Sequence, residues 1–281
     1  MDTVELLLSV PEADQDWLLG YLSDRATGFV QEPGQLRAYV PAHDWDAADR
    51  EAVSARLRAE GYDDALSVRR VADENWNEAW EANIAPVRAG PFLICTTGAT
   101  VPAEHADAAV LRIDPKMSFG TGHHATTRLS LQLLSTAVTP GDRVIDVGTG
   151  TGVLAIAACR RGAASVEAVD TNPRAVANAR ENVAQNGVAD CVTVREGSVD
   201  AVPDGNAEVV IANITRGPLL TLLPALRRRL APNGRLLLSG LLLADRTQMQ
   251  SALKEQNLVV HDTQTEDGWW AVHAQPRPAS S

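Results

Sequence analysis

The feature that most constrains this chain is an apolar strand running directly into closely spaced glycines. Val144-Ile145-Asp146-Val147 leads into Gly148-Thr149-Gly150-Thr151-Gly152, and an apolar helix over 152–161 follows. Glycines at such a junction let the backbone turn tightly and approach a ligand that a Cβ atom would hold away. From residue 143 onward the same alternation repeats. Strands are predicted over 143–147, 165–170, 191–194, 208–213, 235–239, 258–262 and 269–274, with helices over 174–185, 218–229 and 245–256. Parallel strands need crossover connections and these helices supply them, so the expected fold is α/β with a Rossmann-like sheet.

The first third reads differently. A strand over 4–10 precedes a helix over 14–23 that aligns Trp17, Leu18 and Tyr21. A hairpin over 28–30 and 36–40 turns at Glu32-Pro33-Gly34-Gln35. A helix over 46–60 ends at Gly61, and a strand over 66–71 completes the order βαββαβ, which suggests a small α+β, ferredoxin-like domain. Trp76 and Trp80 then share one stripe of a short helix over 73–83. Residues 84–114 carry Pro86, Gly90, Pro91, Gly98 and Pro102, too many breakers for helix, and read as short strands and a connection. The expected organisation is an N-terminal domain over 1–72, a linker and connecting segment over 73–114, and the α/β domain over 115–281. The polar tail over 276–281 is expected to fray.

Charge is unevenly placed. Residues 1–85 hold 18 of the 36 acids and 7 of the 25 bases, so the whole excess of -11 lies there. Such a balance points away from direct nucleic-acid binding and towards a basic partner or plain solubility. No apolar run approaches the roughly 20 residues that span a bilayer. The chain opens with acids where a secretory signal carries bases, so no membrane association and a cytoplasmic location are expected. Cys95, Cys159 and Cys191 form no CxxC pattern and read as free thiols.

The glycine spacing is GxGxG and not the GxGxxG that seats a pyrophosphate on a helix N-terminus. The second predicted strand ends at Asp170, where a carboxylate can accept hydrogen bonds from both hydroxyls of a ribose; it could also cap the following helix at Asn172-Pro173. Glycines and acid together also fit a dehydrogenase. The shorter spacing, with Asp146 near the end of the first strand, favours S-adenosylmethionine, whose methionine amine is cationic. Asn213 ends the predicted strand over 208–213 and either enters the crevice beside Gly148 and Asp170 or serves its own turn. The run Phe119-Gly120-Thr121-Gly122-His123-His124-Ala125-Thr126-Thr127 is too rich in glycine, histidine and threonine for a mere linker. Its histidines have no third ligand at a telling distance, so closure over a cofactor is expected and a metal is not.

Together these pieces resemble the ribosomal protein L11 methyltransferase family. The most specific segments are Phe119 to Thr127 and Ala212-Asn213-Ile214-Thr215-Arg216-Gly217-Pro218-Leu219. Trp76-Asn77-Glu78-Ala79-Trp80, Leu238-Ser239-Gly240-Leu241-Leu242 and Gly268-Trp269-Trp270 agree as well. The resemblance implies a class I methyltransferase domain behind a small N-terminal domain that recognises the ribosomal protein. Cofactor contacts then fall on Thr127, Gly148, Asp170 and Asn213, with Phe119, Gly120, Thr121, His123, Asp146 and Gly150 around them. Asn213 is the expected catalytic residue. The implied product is methylated lysine side chains and N-terminal α-amine of ribosomal protein L11, made by a monomer. Other readings are a methyltransferase of another protein or small amine, and a non-catalytic S-adenosylmethionine-binding protein. Only two lysines occur; Lys116, where the family commonly has a small residue, could alter substrate entry or be methylated itself.

Overall fold

The structure, a computed structural model, describes residues 3–11, 14–22, 25–26, 28–71, 85–116, 118–204 and 206–278. The helix expected over 73–83 lies outside the described residues, as does the end of the tail. Two compact units divide the chain, Met1–Trp76 and Asn77–Ser281.

The first unit contains β1 (Thr3–Leu8), α1 (Gln15–Leu22), β2 (Gly28–Glu32), β3 (Gln35–Pro41), α2 (Ala47–Ala59) and β4 (Leu66–Val71), the βαββαβ order expected from the sequence. Its sheet is antiparallel with order β2-β3-β1-β4. Each βαβ unit is therefore split by a strand of the other. Val4, Leu6 and Leu8 alternate along β1 to meet Leu18, Leu22, Val53 and Leu57 in one core. A reciprocal capping box fixes the start of α2: the Asp46 carboxylate accepts from Ala48 N at 2.7 Å and Asp49 N at 3.0 Å, while Asp46 N donates to Asp49 Oδ2 at 3.0 Å.

The second unit opens with β5 (Val87–Ala89), β6 (Phe92–Cys95) and β7 (Ala109–Arg112) in a small sheet of that order. The sequence reading gives this stretch as short strands and a connection between the domains, and the short strands are present. Phe92, Ile94, Leu111 and Ile113 are instead buried in the same core as Leu129, Leu134 and Ile156, so residues 85–114 belong to the second unit. Four consecutive apolar residues in β6, all buried, are the physical reason.

There follow α3 (Ala125–Ala137), β8 (Arg143–Val147), α4 (Val153–Arg160), β9 (Ser165–Asp170), α5 (Pro173–Gln185), β10 (Val192–Glu196), β11 (Ala207–Asn213), α6 (Arg216–Arg229), β12 (Leu230–Leu242), α7 (Arg246–Glu255), β13 (Leu258–Glu266) and β14 (Trp269–Pro276). They form a seven-stranded sheet of order β10-β9-β8-β11-β12-β14-β13. Pairing is parallel from β10 to β12, and β14 runs antiparallel to both neighbours. Both faces are covered, which is why Val209 to Ala212 of β11 read as a continuous apolar run: Val209 and Ile211 join the core of α3, α4 and α5, while Val210 and Ala212 join that of α6 and α7. β12 extends beyond the predicted 235–239 at both ends: Leu230 pairs with Ala207 of β11, and Leu241 and Leu242 lie opposite Trp270 and Trp269 of β14.

From β8 the chain winds outward through β9 and β10, then returns to β11 on the other side of β8. The reversal opens a crevice beyond the carboxyl ends of β8 and β11, the position where open α/β sheets bind ligands.

Candidate active site

A cleft of about 610 Å³ occupies this crevice, lined by Val147, Gly148, Gly150, Asp170, Asn213 and Ile214 from the strand ends, and by Phe119, His124, Thr126 and Trp269 from elsewhere in the unit. The glycine loop is held by backbone bonds. Gly148 N and Thr149 N donate to Val169 O at 2.9 and 3.0 Å, and Thr151 N donates to Phe119 O at 2.9 Å. Gly150 has φ +56°, and a Cβ there would stand 2.3 Å from Phe119 O, so the crossing of the 119–120 segment over the loop requires glycine.

Asp170 organises this turn. One carboxylate oxygen accepts Gly150 N and the other Asn172 N, each at 2.9 Å, leaving further lone pairs for a ligand. The cap of α5 is not Asp170 but Asn172, whose side chain accepts Arg174 N at 2.9 Å ahead of Pro173. Asp146 departs from its expected role. It is fully buried, absent from the cleft lining, and accepts the Thr149 hydroxyl at 2.6 Å, so it buttresses the loop from behind. Burial, aided by the nearby Asp170 charge, pushes its carboxyl up to about 7.

Asn213 lies at the end of β11, and its carboxamide oxygen is buried without a hydrogen-bond partner among the described residues. An orphaned buried acceptor on a cleft wall fits a site awaiting a donor from a ligand. The following turn passes close to Gly240, where φ is +84° and a Cβ would stand 2.3 Å from Ile214 O; the irregularity of β12 between Leu238 and Leu241 makes room for it.

At the other end of the cleft, His124 caps α3. Its Nδ1 accepts Thr126 N at 3.3 Å and meets the Thr126 hydroxyl at 2.8 Å. The ring is edge-on to Trp269 at 4.7 Å and to Phe119 at 5.3 Å.

Of the residues expected from the sequence, Phe119, Gly148, Gly150, Asp170 and Asn213 converge here. Gly120, Thr121, His123, Thr127 and Asp146 do not line the cleft. Gly120 O accepts the Thr151 hydroxyl at 3.0 Å, and the Thr121 hydroxyl accepts His123 N at 3.4 Å, so both serve the loop's own shape. His123 is exposed, and the neighbouring His124 takes the place in the cleft. Thr127 is fully buried with a hydroxyl unpartnered among the described residues, while Thr126 lines the cleft. Lys116 is ion-paired to Glu181 on α5 and is not part of the lining.

Although the 119–127 run as a whole is expected to close over a cofactor, the expected site residues do not include His124, Thr126, Trp269 or the Gly197-Ser198 turn. The last follows β10, and the strand-end rule applied to that strand would have found it. His124 sits one residue before the apolar periodicity of α3, the position of a cap. Trp269 falls in the Gly268-Trp269-Trp270 segment of the resemblance, but no local period marks it as a site residue.

The parallel sheet with antiparallel β14, the glycine loop and the carboxylate ending β9 define a Rossmann-like, class I methyltransferase domain that uses S-adenosylmethionine. The family model for ribosomal protein L11 methyltransferase (PrmA) matches residues 15–277. The ribosomal protein L11 methyltransferase of Symbiobacterium thermophilum is 42% identical over 211 residues, 75% of this chain and 69% of that protein. That of Chlorobaculum parvum is 38% identical over 256 residues, 89% and 88% of the two chains. The crystal structure of the ribosomal protein L11 methylase from Lactobacillus delbrueckii subsp. bulgaricus matches with a TM-score of 0.64 at 28% identity, covering 69% of this chain and 100% of that one. This chain belongs to the ribosomal protein L11 methyltransferase family.

Proposed function

We propose that this protein transfers methyl groups from S-adenosylmethionine to amines of ribosomal protein L11, namely lysine side chains and the N-terminal α-amine. The observation that carries the reading is the convergence of Gly148, Gly150 and Asp170 with the unpartnered Asn213 oxygen in one cleft, in a chain that the family matches over 15–277.

When bound, S-adenosylmethionine supplies a methyl group on a cationic sulfonium, already activated towards a nucleophile. Asp170, held by Gly150 N and Asn172 N, keeps lone pairs for the ribose hydroxyls. Gly148 and Gly150 give the loop positive-φ turns that a side chain would bar, against Ile214 and Phe119 O. Phe119, His124 and Trp269 form the aromatic wall of the acceptor end. Desolvation there disfavours an ammonium, so the acceptor amine is held neutral with a free lone pair. The Asn213 oxygen accepts a hydrogen bond from that amine and aims the lone pair, so the protein's contribution is position more than acid–base chemistry.

The N-terminal unit, with 16 acids against 7 bases over residues 1–76, is the proposed recognition domain for a basic ribosomal protein, by complementarity that speeds encounter. The reading carries with it a cytoplasmic monomer without direct nucleic-acid contact. Incubation with labelled S-adenosylmethionine and ribosomal protein L11, with the label located by mass spectrometry, tests it. Labelled lysines or N-terminus are expected. Asn213→Ala should lower kcat about 100-fold, the scale of losing one preorganised polar group at a reacting centre; unchanged turnover would refute the role of Asn213.

A further inference from the structure

Two segments far apart in the chain build the aromatic end of the cleft, and one side chain grips both. Arg128 follows His124 by one turn of α3, and its side chain is 18% exposed. Its Nη1 donates back to Gly122 O at 3.2 Å and to His123 O, the carbonyls immediately ahead of His124. In the other direction Nε donates to Glu266 Oε1 at 2.8 Å, Nη2 lies 2.6 Å from the same oxygen, and Asp267 stands 3.6 Å away. Glu266 ends β13 and is paired across the hairpin with Trp269. Neither Arg128 nor Glu266 lines the cleft.

A cation in the first turns of a helix faces the positive end of the helix dipole and is disfavoured there unless something compensates. Two carbonyls and a carboxylate do so here, and together they connect the segment ahead of His124 to the turn ahead of Trp269. We infer that Arg128 and Glu266 form a bracket that sets His124 against Trp269, making them positioning residues for the acceptor amine. The inference rests on the reaction proposed above. Arginine suits the task because its planar fork can serve several acceptors in fixed directions at once, which a lysine ammonium cannot.

The full-length protein and its Arg128→Lys variant decide the matter by two readouts. Steady-state kinetics should show the acceptor KM raised about tenfold with S-adenosylhomocysteine affinity kept within about twofold, since a charge-assisted contact is lost at the acceptor end only. Hydrogen exchange should quicken together at the 120–124 and 266–269 segments. Combining Arg128→Lys with Trp269→Ala should add no further loss in kcat/KM to that of Trp269→Ala alone, because the bracket acts through that ring. An unchanged KM, faster exchange at only one of the two segments, or multiplicative losses would overturn the inference. Failure of the wild type to methylate ribosomal protein L11 would instead overturn the reaction, and with it the acceptor role. The exchange data would still decide whether the bracket exists.

Discussion

The two ends of the cleft are built by different means. The Gly148–Asp170 end comes from two adjacent βα turns, and backbone amides do most of the holding: Val169 O takes Gly148 N and Thr149 N, and Asp170 takes Gly150 N. The end formed by Phe119, His124 and Trp269 joins residues from distant parts of the chain through ring contacts and the Arg128 guanidinium. Backbone-held geometry depends on residues that permit a conformation, whereas the other end depends on side chains that can be exchanged. Cofactor binding and acceptor seating should therefore fail separately.

Gly150→Ala is the strongest way to break the first end. It forces a side chain into positive φ and against Phe119 O, so a loss of about 3 kcal/mol of stability is expected with S-adenosylhomocysteine binding abolished. Thermal unfolding and calorimetric titration check it. Normal cofactor affinity in this variant would show that the loop is not the cofactor seat.

Trp269→Ala should break only the second end. The expected outcome is an acceptor KM raised about tenfold, from loss of an aromatic enclosure of roughly 1–2 kcal/mol, with cofactor affinity retained. Initial rates over a range of ribosomal protein L11 concentrations measure it. A matching loss of cofactor affinity would erase the distinction between the two ends.

Asp146 sharpens the comparison through pH. Its carboxyl is raised from 3.8 to about 7 in the fold, so the folded state holds a proton that the unfolded state has released between those values. Its contribution to stability is complete below the lower value and is lost as pH rises through the upper one. Asp146→Asn, which cannot ionise, should gain in melting temperature relative to the wild type as pH goes from about 4 to about 7. A difference that does not vary with pH would mean that Asp146 is not held protonated behind the loop.

Much of this was legible before the structure. β8 and β9 fall where their apolar runs end, at Val147 and Asp170, and the glycine spacing after β8 announces a tight turn. The βαββαβ order of the first unit follows from the same periodicities. The role of α5 was not legible. Asn178, Asn182 and Asn186 recur every four residues and form a ladder: Asn178 donates to Asp114 O at 2.8 Å, Asn182 to Thr151 O at 2.9 Å, and Asn186 exchanges bonds with Arg112 N and O at 2.9 and 2.7 Å. In sequence these asparagines look like an ordinary polar stripe. Only burial against the 112–114 segment and the glycine loop turns them into structural ties.

The sequence by itself determined the strand-and-helix alternation, the tight turns at the glycines and the carboxylate that ends β9, because local period and backbone freedom are properties of neighbouring residues. Tertiary structure alone decided that His124 and not His123 lines the cleft, that Asp146 is buried behind the glycine loop outside the cleft lining, and that Trp269 joins the cleft wall. Those outcomes depend on which faces of remote segments are pressed together. Packing sets that, and no local spacing encodes it.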